Sequence, residues 1–181
     1  MFPLVTIAVP TVGRLDYLKE AVGSALAQEY AHVDVLVGDD AGPPELRAWC
    51  EGVAARDARL RYQRNARRLG LAGNWNALAR EARGEYVAII GDDDRLLPNF
   101  VGQLLEAALS APGRPADVAF ANHYLIDARG ARLADESAEL TRRYGRDLLP
   151  AGQLSDAARA VWRNSVHEHE VGARVAREER P

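Results

Sequence analysis

The stretch GEYVAIIGDDDRLLP, residues 84–98, decides how the chain reads. A run of strand character, Tyr86 to Ile90, stops at three adjacent carboxylates, Asp92, Asp93 and Asp94, and a Leu-Leu-Pro turn follows. Ionised carboxylates side by side repel, and each loses hydration beside apolar surface. From the triplet alone two readings stay open. One is a solvated acidic turn. The other is a set of hard oxygen ligands for a divalent cation, whose charge cancels the repulsion. Mg²⁺ takes one or two protein carboxylates and completes its shell from water and phosphate. The second reading therefore expects a phosphate-bearing ligand.

Working outward, strand-like and helix-like segments alternate. LVTIAV (Leu4 to Val9) is a β-branched run closed by Pro10, and Leu15, Leu18, Val22 and Leu26 then recur at helical spacing up to about Gln28. VDVLVG (Val33 to Gly38) is a second strand, ending at Asp39-Asp40. Pro44 opens a helix with Leu46, Trp49, Cys50 and Val53 on one face, and Leu60 to Gln63 is a short third strand. After a loop, Trp75, Leu78, Ala79 and Ala82 mark a helix stopped by Gly84, and the YVAII strand follows. Pro98 opens a further helix carrying Val101, Leu104, Leu105, Ala108 and Leu109.

Near-continuous apolar strands alternating with helices predict an α/β fold, a mostly parallel sheet flanked by helices on both faces. In such sheets ligands bind outside the carboxyl ends of the strands. Pro10-Thr11, Asp39-Asp40 and the triplet all stand at strand ends, so the acids gather on one edge. Asp39-Asp40 reads either as an Asx turn before Pro43-Pro44 or as one carboxylate for a nucleobase imide or amine with its neighbour bracing the turn. Between Arg64 and Asn76, two glycines, Gly70 and Gly73, let backbone approach a ligand, and Arg64, Arg67 and Arg68 carry positive charge. The helix start beyond them, with Asn74 and Asn76, offers amides to an anion. A flexible basic loop with a helix cap is the alternative there.

Composition narrows the classes. With 181 residues, 48% hydrophobic and 27% charged, the chain suits a globular domain with a real core. A net charge of -3 argues against nucleic acid as a main partner. Cys50 is the single cysteine, so no intrachain disulfide can form. Met1 leads almost directly into VTIAV without a basic, cleavable leader, and no apolar run approaches the roughly 20 residues of a membrane span. The expectation is a cytoplasmic chain, with peripheral association at the inner membrane face left open through an acceptor lipid or partner.

VTIAVPTVGRLDYLKEAVGSALAQEYAHVDVLVGDDAG, then Gly70 to Gly84 and GEYVAIIGDDDRLLP, together resemble family 2 glycosyltransferases of the GT-A fold. The resemblance covers roughly residues 3–110 and weakens through about residue 165. It implies a Rossmann-like nucleotide-sugar-binding region over residues 1–115, the start of an acceptor side over 116–166 and a polar tail over 167–181. By the resemblance, Pro10 and Thr11 line the nucleotide pocket, Asp40 bonds the base with Asp39 in support, and Asp92 lies by the ribose. Arg68, Gly70 and Asn76 belong to the same nucleotide-sugar pocket. Asp93 is then the main Mn²⁺ or Mg²⁺ ligand under the diphosphate, with Asp94 assisting or capping the turn. The implied reaction is inverting transfer of a sugar from a nucleoside-diphosphate donor to an acceptor hydroxyl, whether of a glycan, a lipid-linked glycan or a small molecule. The metal stabilises the departing diphosphate. Gly91 departs from the family pattern where a carboxylate is frequent, Gly13 where Asn is usual and Arg68 where a second Asn often lies.

The C-terminal part fits less well. Residues 117–127 read as a strand turning at Arg129-Gly130 into a short return strand, and Ser155 as an N-cap ahead of Val161-Trp162. Asp135 and Glu136 are better read as an exposed loop than as a catalytic base, and His167, Glu168, His169 and Glu170 as a solvated tail rather than a second metal site. No general base can be placed. Family members continue well beyond this point, so the expectation is an incomplete acceptor portion, with the frame shortened or shifted after about Val166. A nucleotide-sugar-binding remnant without turnover is the alternative function. A receiver or phosphatase-like domain leaves the Gly70 to Asn76 segment without a role, and VPTVGR is no dinucleotide-binding glycine turn.

Overall fold

The computed structural model describes residues 2–110, 115–121 and 123–143. Its contacts fall into two compact units that divide between Leu105 and Glu106, and each is described by itself.

The first unit alternates strand and helix: β1 (Val5–Thr11), α1 (Leu15–Leu26), β2 (Val33–Asp39), α2 (Pro44–Ala54), β3 (Leu60–Arg64), α3 (Gly70–Glu81) and β4 (Tyr86–Ile89), followed by the first turns of α4 (Phe100–Leu109). The strands form one parallel sheet in the order β3-β2-β1-β4. Thr11 lies opposite Asp39 in the β1–β2 register, and Asp39 opposite Arg64 in β2–β3, so these residues share the carboxyl edge.

Strand periodicity divides the core in two. Ile7 and Val9 of β1 with Val33, Val35 and Val37 of β2 point to one face, where Leu18, Val22 and Ala25 of α1, Leu46 and Cys50 of α2, and Val101 and Leu105 of α4 cover them. Burying an aliphatic side chain there stabilises by about 1.5–3 kcal/mol. Burial also pushes the Cys50 thiol up to about 12, which leaves it a neutral core residue. Ala8, Leu36 and the partly buried Ile89 face the other way, against Leu78 of α3. A Cβ on Gly38 would stand 2.7 Å from Leu78, so the absence of a side chain lets α3 lie close on β2.

Pro10 does not close β1 as expected from the sequence, for the strand runs on to Thr11. The ladder explains the tolerance. Val5 N and Thr11 O bond toward β2, through His32 O and Asp40 N, whereas Ala8 O receives Ile90 N on the β4 side. Pro10 is in phase with Ala8, and β4 pairs no further along than Ala8, so its missing N–H falls where no partner strand waits.

In the second unit, β5 (Leu125–Ile126) and β6 (Arg132–Leu133) form a small antiparallel hairpin, followed by α5 (Ala134–Arg143). The strand expected over 117–127 is present only at its end, since no ladder partner is found for the earlier part among the described residues. Asp135 and Glu136, expected in a loop, occupy the first turn of α5, and Arg142 and Arg143 its last. That charge order complements the helix dipole at both ends. The Ser155 cap, Val161-Trp162 and the residues at 167–170 lie outside the described residues.

Candidate functional site

Two acidic tips, Asp39-Asp40 after β2 and Asp92 to Asp94 after β4, flank the Thr11 tip of β1 on the carboxyl edge of the sheet, and the chain between β1 and α1 runs beside them. Thr11 is the link. Its backbone oxygen accepts Asp40 N at 2.9 Å, and its Oγ1 donates to Asp92 Oδ2 at 2.7 Å. Gly13 follows with φ +133, a region that favours glycine. A Cβ there would stand 2.7 Å from Pro43 Cδ, which explains why Asn is absent from a position where the resemblance leads one to expect it.

Asp39 is fully buried. Its Oδ1 accepts Gly42 N at 2.6 Å, and its Oδ2 accepts Tyr62 Oη at 2.5 Å and Arg64 Nη1 at 2.6 Å. Burial, reinforced by the bond to Asp39, pushes the Tyr62 hydroxyl up to about 12. Ala41, with φ +56, takes the left-handed turn that sends the chain from Asp40 into α2.

Asp40 also turns inward, at 1% exposure. Its Oδ1 accepts Asn65 Nδ2 at 2.9 Å and Leu69 N at 2.7 Å, and its Oδ2 accepts Gly70 N at 2.9 Å. Burial works against its ionisation, but these donors, with Arg68 nearby, outweigh it and hold the carboxyl below the usual carboxylate range. The amides at the start of α3, expected from the sequence to be available to an anion, are thus partly taken by an anion the chain supplies itself. Asn65 also donates to Asn74 Oδ1 at 3.0 Å, and Asn74 Nδ2 donates to Gly38 O at 2.8 Å. Asn74 is therefore a buried brace, whereas Asn76, Arg68 and Gly70 are exposed along the loop and first turns of α3. Arg64 is committed to Asp39 instead of standing free for a diphosphate.

At the tip of β4 the three aspartates separate by role. Asp92, at 3% exposure, is held by Thr11 and by Arg14 Nη2. The Asp93 side chain is 49% exposed, and its Oδ2 accepts Arg14 Nη1 at 2.8 Å. Asp94 folds back on its own turn, its Oδ2 accepting Gly91 N at 2.8 Å while its N–H donates to Gly91 O at 3.1 Å. A Cβ on Gly91 would meet Asp93 Oδ1 at 2.7 Å and Asp94 Oδ2 at 3.0 Å, so a larger residue at 91 would push against this arrangement. The bond to Asp92, seconded by that to Asp93, raises the affinity of the Arg14 guanidinium for its proton against the opposing effect of burial. Sequence reasoning did not single out Arg14; its spacing from the triplet carries no local signal.

The donor set fits a Mn²⁺ or Mg²⁺ ion. One half-exposed carboxylate stands beside a buried one, and no donor among the described residues meets Asp93 Oδ1. No three His, Cys, Asp or Glu side chains among the described residues converge into a cage of their own. An ion held here takes one or two carboxylates and draws the rest of its shell from phosphate and water.

A parallel sheet bearing hydroxyl, acidic and glycine-rich segments at its carboxyl tips places the molecule in the GT-A class of α/β folds. The sequence model of Glycosyl transferase family 2 matches residues 6–158, and the chain belongs to that family. The succinoglycan biosynthesis protein ExoO of Rhizobium meliloti is 33% identical over 140 residues, covering 77% of this chain and 39% of that protein. Glycosyltransferase GlyG of Streptococcus pneumoniae is 28% identical over 127 residues, 70% of this chain and 41% of its own length. Among solved structures, the mannosyltransferase PcManGT from Pyrobaculum calidifontis, in complex with GDP-Man and Mn²⁺, superposes with a TM-score of 0.54 at 25% identity, over 62% of this chain and 34% of that one. S. aureus TarS 1-349 with UDP-GlcNAc shares the fold at a TM-score of 0.53 and 20% identity, over 57% of this chain and 30% of that chain. The chain spans about two fifths of the length of these curated relatives. No helix among the described residues is long and apolar enough to cross a membrane.

Proposed function

We propose that this chain is the donor-binding part of a metal-dependent, inverting glycosyltransferase, which takes a sugar from a nucleoside diphosphate and passes it to an acceptor hydroxyl. The observation that carries the proposal is the half-exposed Asp93 held beside buried Asp92 at the β4 tip, on the edge it shares with Thr11 and Asp39. The similarity to a mannosyltransferase solved with GDP-Man and Mn²⁺ supports the donor class and the choice of Mn²⁺ or Mg²⁺.

Asp93 would hold the divalent ion, which, when bound, supplies Lewis-acid stabilisation of the leaving diphosphate. Asp92, tied to Thr11 and Arg14, fixes the turn from which Asp93 projects and presents the ribose side of the pocket. Asp94 closes that turn. Asp40 acts through the loop it anchors: it positions Leu69 and Gly70 as one wall for the base. Asp39 locks β2 to β3 beneath that wall. Pro10 contributes backbone past the end of the β4 ladder. Arg68, Gly70 and Asn76, all exposed, lie on the loop and helix start that face the diphosphate and sugar.

Thermal shifts with UDP and GDP, each with and without Mn²⁺, test the proposal. A nucleoside diphosphate with Mn²⁺ should raise the melting temperature of the wild type, and Asp93→Ala should lose the metal-dependent part. Equal shifts in both proteins would remove Asp93 from the site. Donor hydrolysis then separates turnover from the second reading, a nucleotide-sugar-binding remnant without turnover. Stabilisation by a sugar donor without release of nucleoside diphosphate would select the remnant.

A further inference from the structure

Arg14 stands at the start of α1, where it makes no side-chain cap, and reaches 78 and 79 positions along the chain to Asp92 and Asp93. One guanidinium thus bridges two carboxylates that would otherwise repel. The bridge is unequal. Asp92 is buried and has Thr11 on its other oxygen, so Arg14 gains a fixed, well-oriented partner there. Asp93 is half-exposed, as is Arg14 at 50%, and exposed pairs of this kind contribute little individually.

We propose that Arg14 is a placeholder cation. With no divalent ion bound, its guanidinium holds Asp93 beside Asp92. An ion arriving at Asp93 displaces it from that carboxylate while Arg14 keeps its bond to Asp92. The inference rests on Asp93 being the metal ligand. Three features support it: the position between the two acids is filled by positive charge, the arm to be released is the exposed one, and the arm that stays is the buried one. The planar fork matters, because a lysine ammonium is a point charge without two parallel donors to span both carboxylates. Arg14 is a positioning residue in this scheme, and it makes metal binding a replacement of one cation by another.

Titration of the full chain with Mn²⁺ alone, following the electron paramagnetic signal of free Mn²⁺, reads the replacement directly. Arg14→Gln should bind Mn²⁺ about three- to tenfold more tightly than the wild type, since no ion pair must be broken and no positive charge remains beside the ion. The same variant should melt lower than wild type without metal, with the gap narrowing at saturating Mn²⁺. Arg14→Lys, which keeps the charge but not the bridge, should fall between the two, and it supplies the comparison if Arg14→Gln does not fold. Equal or weaker Mn²⁺ binding by the variants overturns the placeholder. Absence of Mn²⁺ binding by every form overturns it too, and a nucleoside-diphosphate thermal shift retained without metal would then show that the donor-binding reading survives.

Discussion

Asp40 shows how far a residue's type and place can mislead about its orientation. The sequence marks it as an acid at a strand tip, and it is one, but its oxygens are spent on Asn65, Leu69 and Gly70. Those partners lie 25 to 30 positions away and are brought near by the sheet, so no local pattern announces them. Folding therefore weakens proton binding at Asp40. Its contribution to stability is full above the ordinary aspartate value of about 3.9 and is lost as pH falls through the depressed folded value. The melting temperature of the wild type should fall with acidification below about pH 4 more steeply than that of Asp40→Asn. At neutral pH the substitution should cost about 1–3 kcal/mol, because an amide replaces a carboxylate that accepts charge-assisted bonds. A denaturant series at pH 7 and at pH 3.5 checks both. The triplet was legible as an acidic strand end, whereas its division into a buried arm, an exposed arm and a turn brace depends on Thr11 and Arg14.

At the scale of elements, the first unit was legible because its helices carry one buried face and its inner strands, β1 and β2, are near-continuous runs buried on both. The helix marked by Trp75, Leu78, Ala79 and Ala82 is present as α3, but Trp75 is 38% exposed, and Asn74 takes the inner position with Leu78. An asparagine can be inside only because Gly38 O and Asn65 satisfy its amide, which hydropathy does not register. Helix α5 was missed for the opposite reason: half of its residues are charged, few are apolar, and the signal lies in charge order along the helix. The junction of α3 with β4 hangs on Thr6, which is fully buried. Its Oγ1 donates to Asp34 Oδ2 and accepts Arg83 N and Gly84 N, while Arg61 grips both oxygens of Asp34 at 2.6 Å. Thr6→Val keeps the shape and strands these groups, so it should destabilise by about 2–4 kcal/mol in chemical denaturation. Arg61→Lys, which keeps the charge but not the two-pronged grip, should lose a smaller part of that.

For the molecule as a whole, the parallel order β3-β2-β1-β4 makes β1 and β2 the strands flanked on both sides. Their amides should exchange with solvent most slowly, with those of β4, an outer strand carrying Val87 at 45% exposure, faster by orders of magnitude. Hydrogen exchange read by mass spectrometry would show the ranking, and Ile7→Ala, emptying the centre of the larger core, should cost about 2–5 kcal/mol. The sheet and its acidic edge could be read from sequence because apolar strands ending in acids repeat along the first hundred or so residues. The small hairpin at Leu125 to Leu133 could be read only in outline, since two-residue strands leave almost no periodicity to detect.

The crosswise lacing of the strand tips has a consequence for tempo. Arg64 with Asp39 and Thr11 with Asp92 fasten neighbouring tips side by side, so the tips cannot spread apart without breaking these bonds. What remains free to swing is the outer arm of Arg14 with Asp93, and exposed side chains rotate within picoseconds to nanoseconds. On the metal-dependent reading proposed above, entry of Mg²⁺ at Asp93 would then be paced by how slowly the ion sheds its own water.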